Sequence, residues 1–182
     1  MKHLDFLKLA LKKYTVVGAL APTSRYVHRK LLKEVKPEYR YVVEYGPGDG
    51  AVTEALLKVL PSEGRVVAVE IEEGFIPALK RINDPRLTIV HGNAVAVAEA
   101  LDGLGLPRID LVVSGIPFSF LKAHERRSLV LNTYAALASG GRFLVYQHFP
   151  FVYLSLKKFF KTVRLAFEPR NESPCFIMVA EK

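Results

Sequence analysis

The stretch VVEYGPGDG, Val42 to Gly50, decides how this sequence folds. An apolar run ends in the carboxylate of Glu44, and three glycines and a proline follow within the next six residues. A surface turn needs one or two glycines, so this loop is suited to bringing its backbone close to a ligand. In open α/β sheets, ligands bind beyond the carboxyl ends of the strands, where such a loop would lie.

Short β-branched runs alternate with helical patterns from residue 40 onward. The runs predict strands at 39–45, 65–71, 86–91, 109–114 and 142–148, and helices between them at 52–60, 75–81, 94–101 and 124–138. After Gly140-Gly141, a short helix at 153–160 and two closing strands at 162–167 and 175–180 complete the sheet, the last pair antiparallel. This alternation is typical of a Rossmann-like α/β fold, with a seven-stranded, mostly parallel sheet and helices on both faces. We expect one domain over 1–182, made of a basic helical arm (1–36) and a cofactor-binding core (37–182).

The composition excludes several classes of protein. The single cysteine, Cys175, excludes an intramolecular disulfide and a zinc site built from several cysteines. The histidines at 3, 28, 91 and 124 show no metal-ligand spacing, so we expect no metal. Lysines interrupt the first apolar residues and no apolar run reaches ~18 residues, which disfavours a secretory signal and a membrane span.

The net charge of +8 is concentrated at the beginning of the chain. Residues 1–36 contain nine Lys/Arg and two Asp/Glu, a net charge of +7, whereas the remaining chain is nearly balanced. Residues 3–14 have the pattern of a basic amphipathic helix. This charge predicts an anionic partner, which is either the phosphate backbone of RNA or an anionic membrane surface. The alternatives are a solvated helix face or a helix packed across the sheet.

Glu70 ends the second predicted strand, 26 residues after Glu44. A carboxylate at this position can accept hydrogen bonds from both hydroxyls of a ribose. The glycine loop lacks the GxGxxG spacing of a pyrophosphate site, and it carries Asp49 beside Glu44. These acidic surroundings favour a ligand that bears an ammonium and a sulfonium group.

At this point the sequence resembles the class I S-adenosylmethionine-dependent methyltransferases. The resemblance rests on EYGPGDG (44–50), AVEIE (68–72), HGNA (91–94) and SGIPF (114–118). It implies S-adenosyl-L-methionine as cofactor, in contact with Glu44, Tyr45, Gly46, Pro47, Gly48, Gly50, Glu70, Ile71, Asn93, Ala94 and Ser114. Asn93 stands where the family usually has an aspartate near the adenine amine, and an amide oxygen can accept the same hydrogen bond.

Two groups within this family bear on the substrate. EYGPGDGAVTEALL is similar to the ribosomal RNA adenine dimethyltransferases, but Ser114 replaces their Asn or Asp, and the chain stops where they append a helical domain. The rhizobial-type bacterial phospholipid N-methyltransferases are similar over nearly the whole chain, through VGALAPTSR (17–25), GFIPALKR (74–81), VVSGIPF (112–118), VYQHFP (145–150) and NESPCF (171–176). In that group a basic amphipathic N-terminal helix holds the enzyme on anionic lipid.

These resemblances imply a monomeric or weakly associating enzyme that methylates a phosphatidylethanolamine-like amine. RNA adenine N6-methylation and a non-catalytic cofactor-binding module are the alternatives. We expect a cytoplasmic location, peripheral at the inner membrane face if the substrate is lipid. The residues expected to act on the substrate are Ser114, Tyr146 and His148, with His148 as a base and Tyr146 as a cation–π wall. Those expected to bind substrate are Ser24, Arg25, Pro117 and Phe118, although Ser24 could instead cap a helix that begins at Tyr26.

Overall fold

The computed structural model describes residues 23–171 and 173–182; the amphipathic helix expected at 3–14 lies outside them. The helices are α1 (Arg25–Leu32), α2 (Ala51–Val59), α3 (Ile76–Arg81), α4 (Ala94–Ala98), α5 (Ala123–Ala136) and α6 (Tyr153–Phe159). The strands are β1 (Tyr41–Tyr45), β2 (Arg65–Glu70), β3 (Leu87–His91), β4 (Ile109–Ser114), β5 (Leu137–Gln147), β6 (Thr162–Glu168) and β7 (Cys175–Glu181).

The strands form one sheet in the order β3-β2-β1-β4-β5-β7-β6. The five strands from β3 to β5 are parallel, and β7 runs antiparallel to both of its neighbours. The predicted Rossmann-like, mostly parallel sheet is therefore confirmed. The strand order reverses at β1, which lies between β2 and β4, so the glycine loop begins at the point where ligands bind in such sheets.

The core consists of two apolar layers, one on each face of the sheet. Successive residues of β1 show why, because side chains alternate between the faces of a strand. Val42 packs with Val27 and Leu56 on one face, whereas Val43 packs with Leu129 on the other. Each such aliphatic side chain contributes about 1.5–3 kcal/mol when it leaves water. The two layers hold β1 and its loop rigidly from both sides.

Helix α1 belongs to this body rather than to a detached arm. Val27 and Leu31 are buried in the core, and Lys30 makes an ion pair of 3.0 Å with Glu168 at the end of β6. Residues 25–32 of the predicted arm thus pack on the sheet. Across the part of the chain that is described, no helix combines the length and apolar character needed to cross a bilayer.

The beginning of β5 differs from the prediction, which placed a helix to residue 138 and began the strand at residue 142. Helix α5 ends at Ala136 and β5 begins at Leu137, pairs with Ile109, and then shifts register so that Arg142 pairs with Leu111. Gly140 has a φ of 74°, and a Cβ on Gly141 would lie 2.8 Å from the Ala138 carbonyl oxygen. The two glycines therefore form a bulge inside the strand, because only glycine tolerates both constraints.

Candidate functional site

Backbone hydrogen bonds join the loops at the carboxyl edge of the sheet. The N–H of Gly46 donates to the Val69 carbonyl (2.9 Å), and that of Gly115 donates to the Tyr45 carbonyl (3.0 Å). The N–H of Gly92 donates to the Glu70 carbonyl (2.8 Å). The loops that follow β1, β3 and β4 are thereby fixed relative to one another. Residues far apart in the sequence meet at this edge because the strands are parallel.

The glycine loop adopts backbone conformations that other residues rarely enter. Gly46 has a φ of 69° and Gly48 a φ of 58°. A Cβ on Gly46 would lie 2.6 Å from the Ile116 side chain, whereas a Cβ on Gly48 would meet no protein atom within 4 Å. Gly46 is thus required for packing against the β4 loop. Gly48 leaves open space directly beside its backbone, as a ligand-binding loop requires.

The Glu70 carboxylate lies under the glycine loop. Its Oε2 accepts the Gly48 N–H (2.9 Å), and its Oε1 accepts the Glu72 N–H (2.9 Å). Burial raises the pKa of this carboxyl group, and the two backbone N–H groups only partly offset that effect. Each carboxylate oxygen can accept a second hydrogen bond, so Glu70 keeps capacity for the two hydroxyls of a ribose.

Glu44 is fully buried at the end of β1. Its Oε2 accepts the hydroxyl of Thr53 (2.6 Å), but its Oε1 has no hydrogen-bond partner within residues 23–171 and 173–182. Burial raises the pKa of Glu44 to about 7, and the negative charges of Glu70 and Asp49 act in the same direction. A ligand that carries positive charge would relieve both the burial and the repulsion.

Tyr146, near the end of β5, lies against the loop that follows β4. A Cβ on Gly115 would lie 2.8 Å from the Tyr146 Cζ, so only glycine fits beside this ring. Burial and then the Glu44 charge raise the pKa of Tyr146, whereas a hydrogen bond with Thr23 acts in the opposite direction. Ser114 is buried next to Gly115, and its Oγ has no partner among the described residues. The structure thus brings Glu44 close to Tyr146, whereas Ser114 pairs in the sheet with Tyr45 and Val145, whose side chains lie in the core layer on the other face.

His148 lies just beyond β5 and contacts a different segment. Its Nδ1 is 3.0 Å from the Pro174 carbonyl oxygen. A carbonyl can only accept, so this hydrogen bond requires a proton on Nδ1. In the neutral ring the lone pair is then on Nε2, which is the state that a general base needs.

Comparison with known proteins places the chain in a family. Residues 42–141 match the model of the family described as "Methyltransferase domain". An ornithine lipid N-methyltransferase from Singulisphaera acidiphila is 30% identical over 173 residues, which is 93% of this chain and 90% of that protein. The chain belongs to the methyltransferase family. It is an S-adenosylmethionine-dependent methyltransferase of class I, as its four motifs predicted.

A ribosomal RNA methyltransferase and two solved structures are also similar to this methyltransferase. A ribosomal RNA small subunit methyltransferase A from Phenylobacterium zucineum is 41% identical over 80 residues, 43% of this chain and 26% of that protein. Among solved structures, a precorrin-6y C5,15-methyltransferase from Geobacter metallireducens has a TM-score of 0.70 at 18% identity, covering 87% of this chain and 89% of that one. The N-methyltransferase NodS from Bradyrhizobium japonicum, in complex with S-adenosyl-L-homocysteine, has a TM-score of 0.67 at 16% identity, covering 86% and 85%. Both structures share the fold.

The described residues fit S-adenosylmethionine. The buried Oε1 of Glu44 lacks a partner, Gly48 borders open space, and Glu70 retains acceptor capacity beside it. The methyltransferase therefore offers a negatively charged site to a cofactor that carries an ammonium and a sulfonium. Among the described residues, no group of three or more His, Cys, Asp or Glu side chains could hold a metal ion.

Several residues predicted from the motifs take part through backbone or local structure. Asn93 caps α4, because its Oδ1 accepts the Val95 N–H (2.9 Å), and Ala94 is the first residue of that helix. The Pro47 carbonyl accepts the Gly50 N–H (3.1 Å), which closes the glycine turn. The Ile71 carbonyl lies 3.2 Å from His91 Nε2. Their contacts with the cofactor remain predictions.

Five other predicted residues have a structural role in the fold. Tyr45 and Phe118 are fully buried and their rings pack in the core. Their contacts with cofactor and substrate remain predictions. Ser24 caps α1, since its Oγ accepts the Val27 N–H (3.4 Å), and Arg25 stacks on Tyr26. The cap alternative for Ser24 therefore describes this structure. Pro117 precedes the single turn Phe118–Phe120 that follows the β4 loop.

Two residues at the site were not predicted. The Thr53 hydroxyl donates a hydrogen bond to Glu44. Its position, one helical turn beyond the glycine loop, could have identified it from the sequence. Gln147 is buried at the end of β5, where its Oε1 accepts the Phe118 N–H (3.2 Å) and its Nε2 has no partner among the described residues. Gln147 could have been identified because it is a polar residue directly after the apolar run of a predicted strand.

Proposed function

We propose that this methyltransferase transfers methyl groups to the amine of a membrane lipid, such as a phosphatidylethanolamine-like phospholipid or an amino-acid lipid. The observation that carries the proposal is the extent of the similarity to the ornithine lipid N-methyltransferase, which spans 93% of this chain and 90% of that protein. Similarity over this length includes segments after β5, whereas the four cofactor motifs end at residue 118.

RNA adenine N-methylation is the second candidate. A ribosomal RNA methyltransferase is 41% identical to the chain over 80 residues, a higher identity than that of the lipid enzyme. That match covers 26% of the ribosomal RNA methyltransferase, and a second one from Methanospirillum hungatei is covered to 36%. A match over so small a share of those proteins supports a common methyltransferase fold more than a common substrate.

Methyl transfer to an amine requires a neutral nitrogen held in line with the donor. The bound cofactor would supply an electrophilic methyl group on its sulfonium. In this proposal Glu70 holds the ribose and the Glu44 carboxylate balances positive charge. Tyr146 and Ser114 line the edge that the amine approaches, and the aromatic ring favours a nitrogen that gains positive charge.

A lipid ammonium must lose a proton before it can react, and His148 is the proposed acceptor. Its Nδ1–H donates to the Pro174 carbonyl, which orients the ring and directs the basic Nε2 lone pair away from that contact. Replacement of His148 by Gln would keep a donor but remove the base. A rate that falls less at high pH than at neutral pH would support this role.

The test is the transfer of a radiolabelled methyl group from S-adenosylmethionine into extracted lipid and into extracted RNA. Label in the lipid fraction, absent without enzyme and reduced with Glu70→Ala protein at low cofactor concentration, is the expected result. Label in RNA alone would favour adenine methylation. Tight cofactor binding without transfer to either fraction would indicate a non-catalytic module and overturn the proposal.

A further inference from the structure

Three large apolar side chains project from the segment that follows β5. Phe149, Phe151 and Leu154 are 60%, 59% and 70% exposed, and we call them the apolar tip. The two phenyl rings pack against each other with their centroids 5.6 Å apart. They are three of the seven large apolar side chains that are exposed among the described residues, and they fall within six consecutive positions.

The exposure of the apolar tip does not come from a loosely held segment. Val152, Leu156 and Phe160 recur every four residues and are buried in the core, so they fix one face of α6 on the body. Leu154 is followed by Lys157 and Lys158, at spacings of three and four residues, which places these side chains on the opposite, exposed face of α6. Lys161 is exposed just beyond the end of the helix. We call these three lysines the lysine flank. The sequence therefore directs apolar and cationic groups together toward solvent.

The charge of this segment has one sign. From His148 to Val163 the chain contains three Lys and no Asp or Glu. The lysine flank begins three residues beyond Leu154, which is roughly 5 Å along the helix. An interfacial protein segment buries its apolar residues ~5–10 Å into the boundary between headgroups and acyl chains. Lysines at this distance from the apolar tip would therefore stand near the lipid phosphates.

The apolar tip is adjacent to the site. β5 ends at Gln147, whose side chain contacts the Phe118 N–H in the β4 loop, and Phe149 follows two residues later. β5 is parallel to β1 and β4, so its end lies at the same edge as the glycine loop. A surface that held the apolar tip would thus lie next to the place where substrate enters.

We propose that the apolar tip inserts into the interfacial layer of an anionic bilayer while the lysine flank contacts the lipid phosphates. The choice of a bilayer as the partner rests on the proposed lipid substrate and on the single sign of charge. This contact lies in the described body of the protein, separate from residues 3–14. It orients the carboxyl edge of the sheet toward the membrane and shortens the path of a lipid headgroup to Tyr146.

The chain contains no tryptophan, so one introduced residue reports its surroundings without interference. Phe151→Trp places the probe in the apolar tip, and Val59→Trp is the matched control, since Val59 is 48% exposed at the far end of α2. With vesicles of equal parts phosphatidylglycerol and phosphatidylcholine, the probe at 151 should shift to shorter wavelength and be quenched by brominated acyl chains. The probe at 59 should show neither effect.

Charge reversal tests the lysine flank. In the Phe151→Trp protein, Lys157→Glu with Lys158→Glu should weaken vesicle binding by at least about tenfold at low salt, because each lysine contributes attraction to an anionic surface. Lys58→Glu, on the exposed face of α2, is the control and should change binding little. Thermal unfolding and cofactor calorimetry identify any variant that fails to fold.

The outcomes separate this surface from the proposed function. Lipid methylation by the wild type, with no spectral shift at 151, would overturn the surface and leave the function standing. A shift at 151 without any lipid methylation would support the surface and overturn the function. A shift that depends on protein concentration without vesicles would indicate a second copy as the partner, and a shift with RNA alone would indicate RNA; each would overturn the bilayer contact.

Discussion

Two regions at the carboxyl edge of the sheet bury glutamates and shift their pKa values in opposite directions. At the β1–β2 end, burial raises the pKa of Glu44 to about 7, and it raises the pKa of Glu70 as well. At the end of β6, the Arg170 guanidinium (2.8 Å), aided by Lys30, holds the pKa of Glu168 at about 2. The residue type is the same, and the difference lies in whether a cation is supplied by the chain.

This difference distinguishes a structural carboxylate from one that awaits a ligand. Glu168 joins α1 to β6 through Lys30, so its charge is balanced within the fold. Glu44 and Glu70 receive hydroxyl and backbone N–H donors but no ion pair from the described residues. A fold that leaves two buried carboxylates without a cation is destabilised by them, which is consistent with a cationic cofactor that supplies the missing charge.

The largest effect is expected from Glu44→Gln, because it removes the costly charge and keeps the shape. A glutamate with an ordinary pKa of 4.5 and a folded pKa of about 7 binds more protons when folded. It therefore stabilises the fold below pH ~4.5, and that contribution is lost as the pH rises through 7. The wild type should lose on the order of 3 kcal/mol more than the variant between pH 5 and pH 8.

Urea unfolding at both pH values measures this change. Glu54→Gln is the control, since Glu54 is exposed on the same helix as Thr53 and should leave the pH dependence as in the wild type. Parallel loss of stability in the wild type and in Glu44→Gln would show that Glu44 is ionised at low cost, and the contrast with Glu168 would disappear.

The second effect concerns cofactor affinity. Glu70→Ala should weaken S-adenosyl-L-homocysteine binding by about 1.5–3 kcal/mol, since it removes a charged acceptor from two ribose hydroxyls. The matched control is Glu73→Ala, which removes the same charge from an exposed turn three residues later. Isothermal calorimetry checks both proteins. Equal affinities for the wild type and Glu70→Ala would remove Glu70 from the site.

Much of this edge could be predicted from the sequence, because its parts are local. Glu44 and Glu70 lie at the ends of two strands that the apolar pattern predicts, and the glycines follow the first of these strands directly. The pairing of Glu168 with Lys30 could not be predicted, as it joins residues 138 positions apart through the packing of α1 on β6. The burial of Phe118 was missed for a similar reason, since only the packed core shows that its ring faces inward.

A third and smaller effect tests the paired carboxylate. Because the folded pKa of Glu168 lies below its ordinary value, its ion pairs stabilise the fold above pH ~4.5, and that contribution is lost as the pH falls toward 2. Glu168→Gln should therefore be less stable than the wild type at pH 7, and the two should converge in acid. Thermal unfolding at pH 7 and pH 3 measures the gap. A stability difference between the two proteins that is larger at pH 3 than at pH 7 would contradict the lowered pKa of Glu168.

The smallest effect comes from adding a third carboxylate to the β1–β2 end. Asn93→Asp should keep the cap on α4, because an aspartate oxygen can accept the Val95 N–H as the Asn93 Oδ1 does. The resemblance of HGNA to the usual GDA motif places this side chain near the adenine amine, and a carboxylate accepts that hydrogen bond more strongly than an amide. Cofactor affinity should rise by less than about tenfold, since one hydrogen bond is exchanged for a stronger one.

The Asn93→Ala variant separates the capping role of Asn93 from its role in cofactor binding. It should cost about 1 kcal/mol of stability through the lost cap, and it should lower cofactor affinity. Calorimetry and urea unfolding measured on both variants decide the matter. If Asn93→Asp binds cofactor more weakly than the wild type, then a third negative charge is unfavourable at this end, and Glu44 and Glu70 already balance the positive charge of the cofactor.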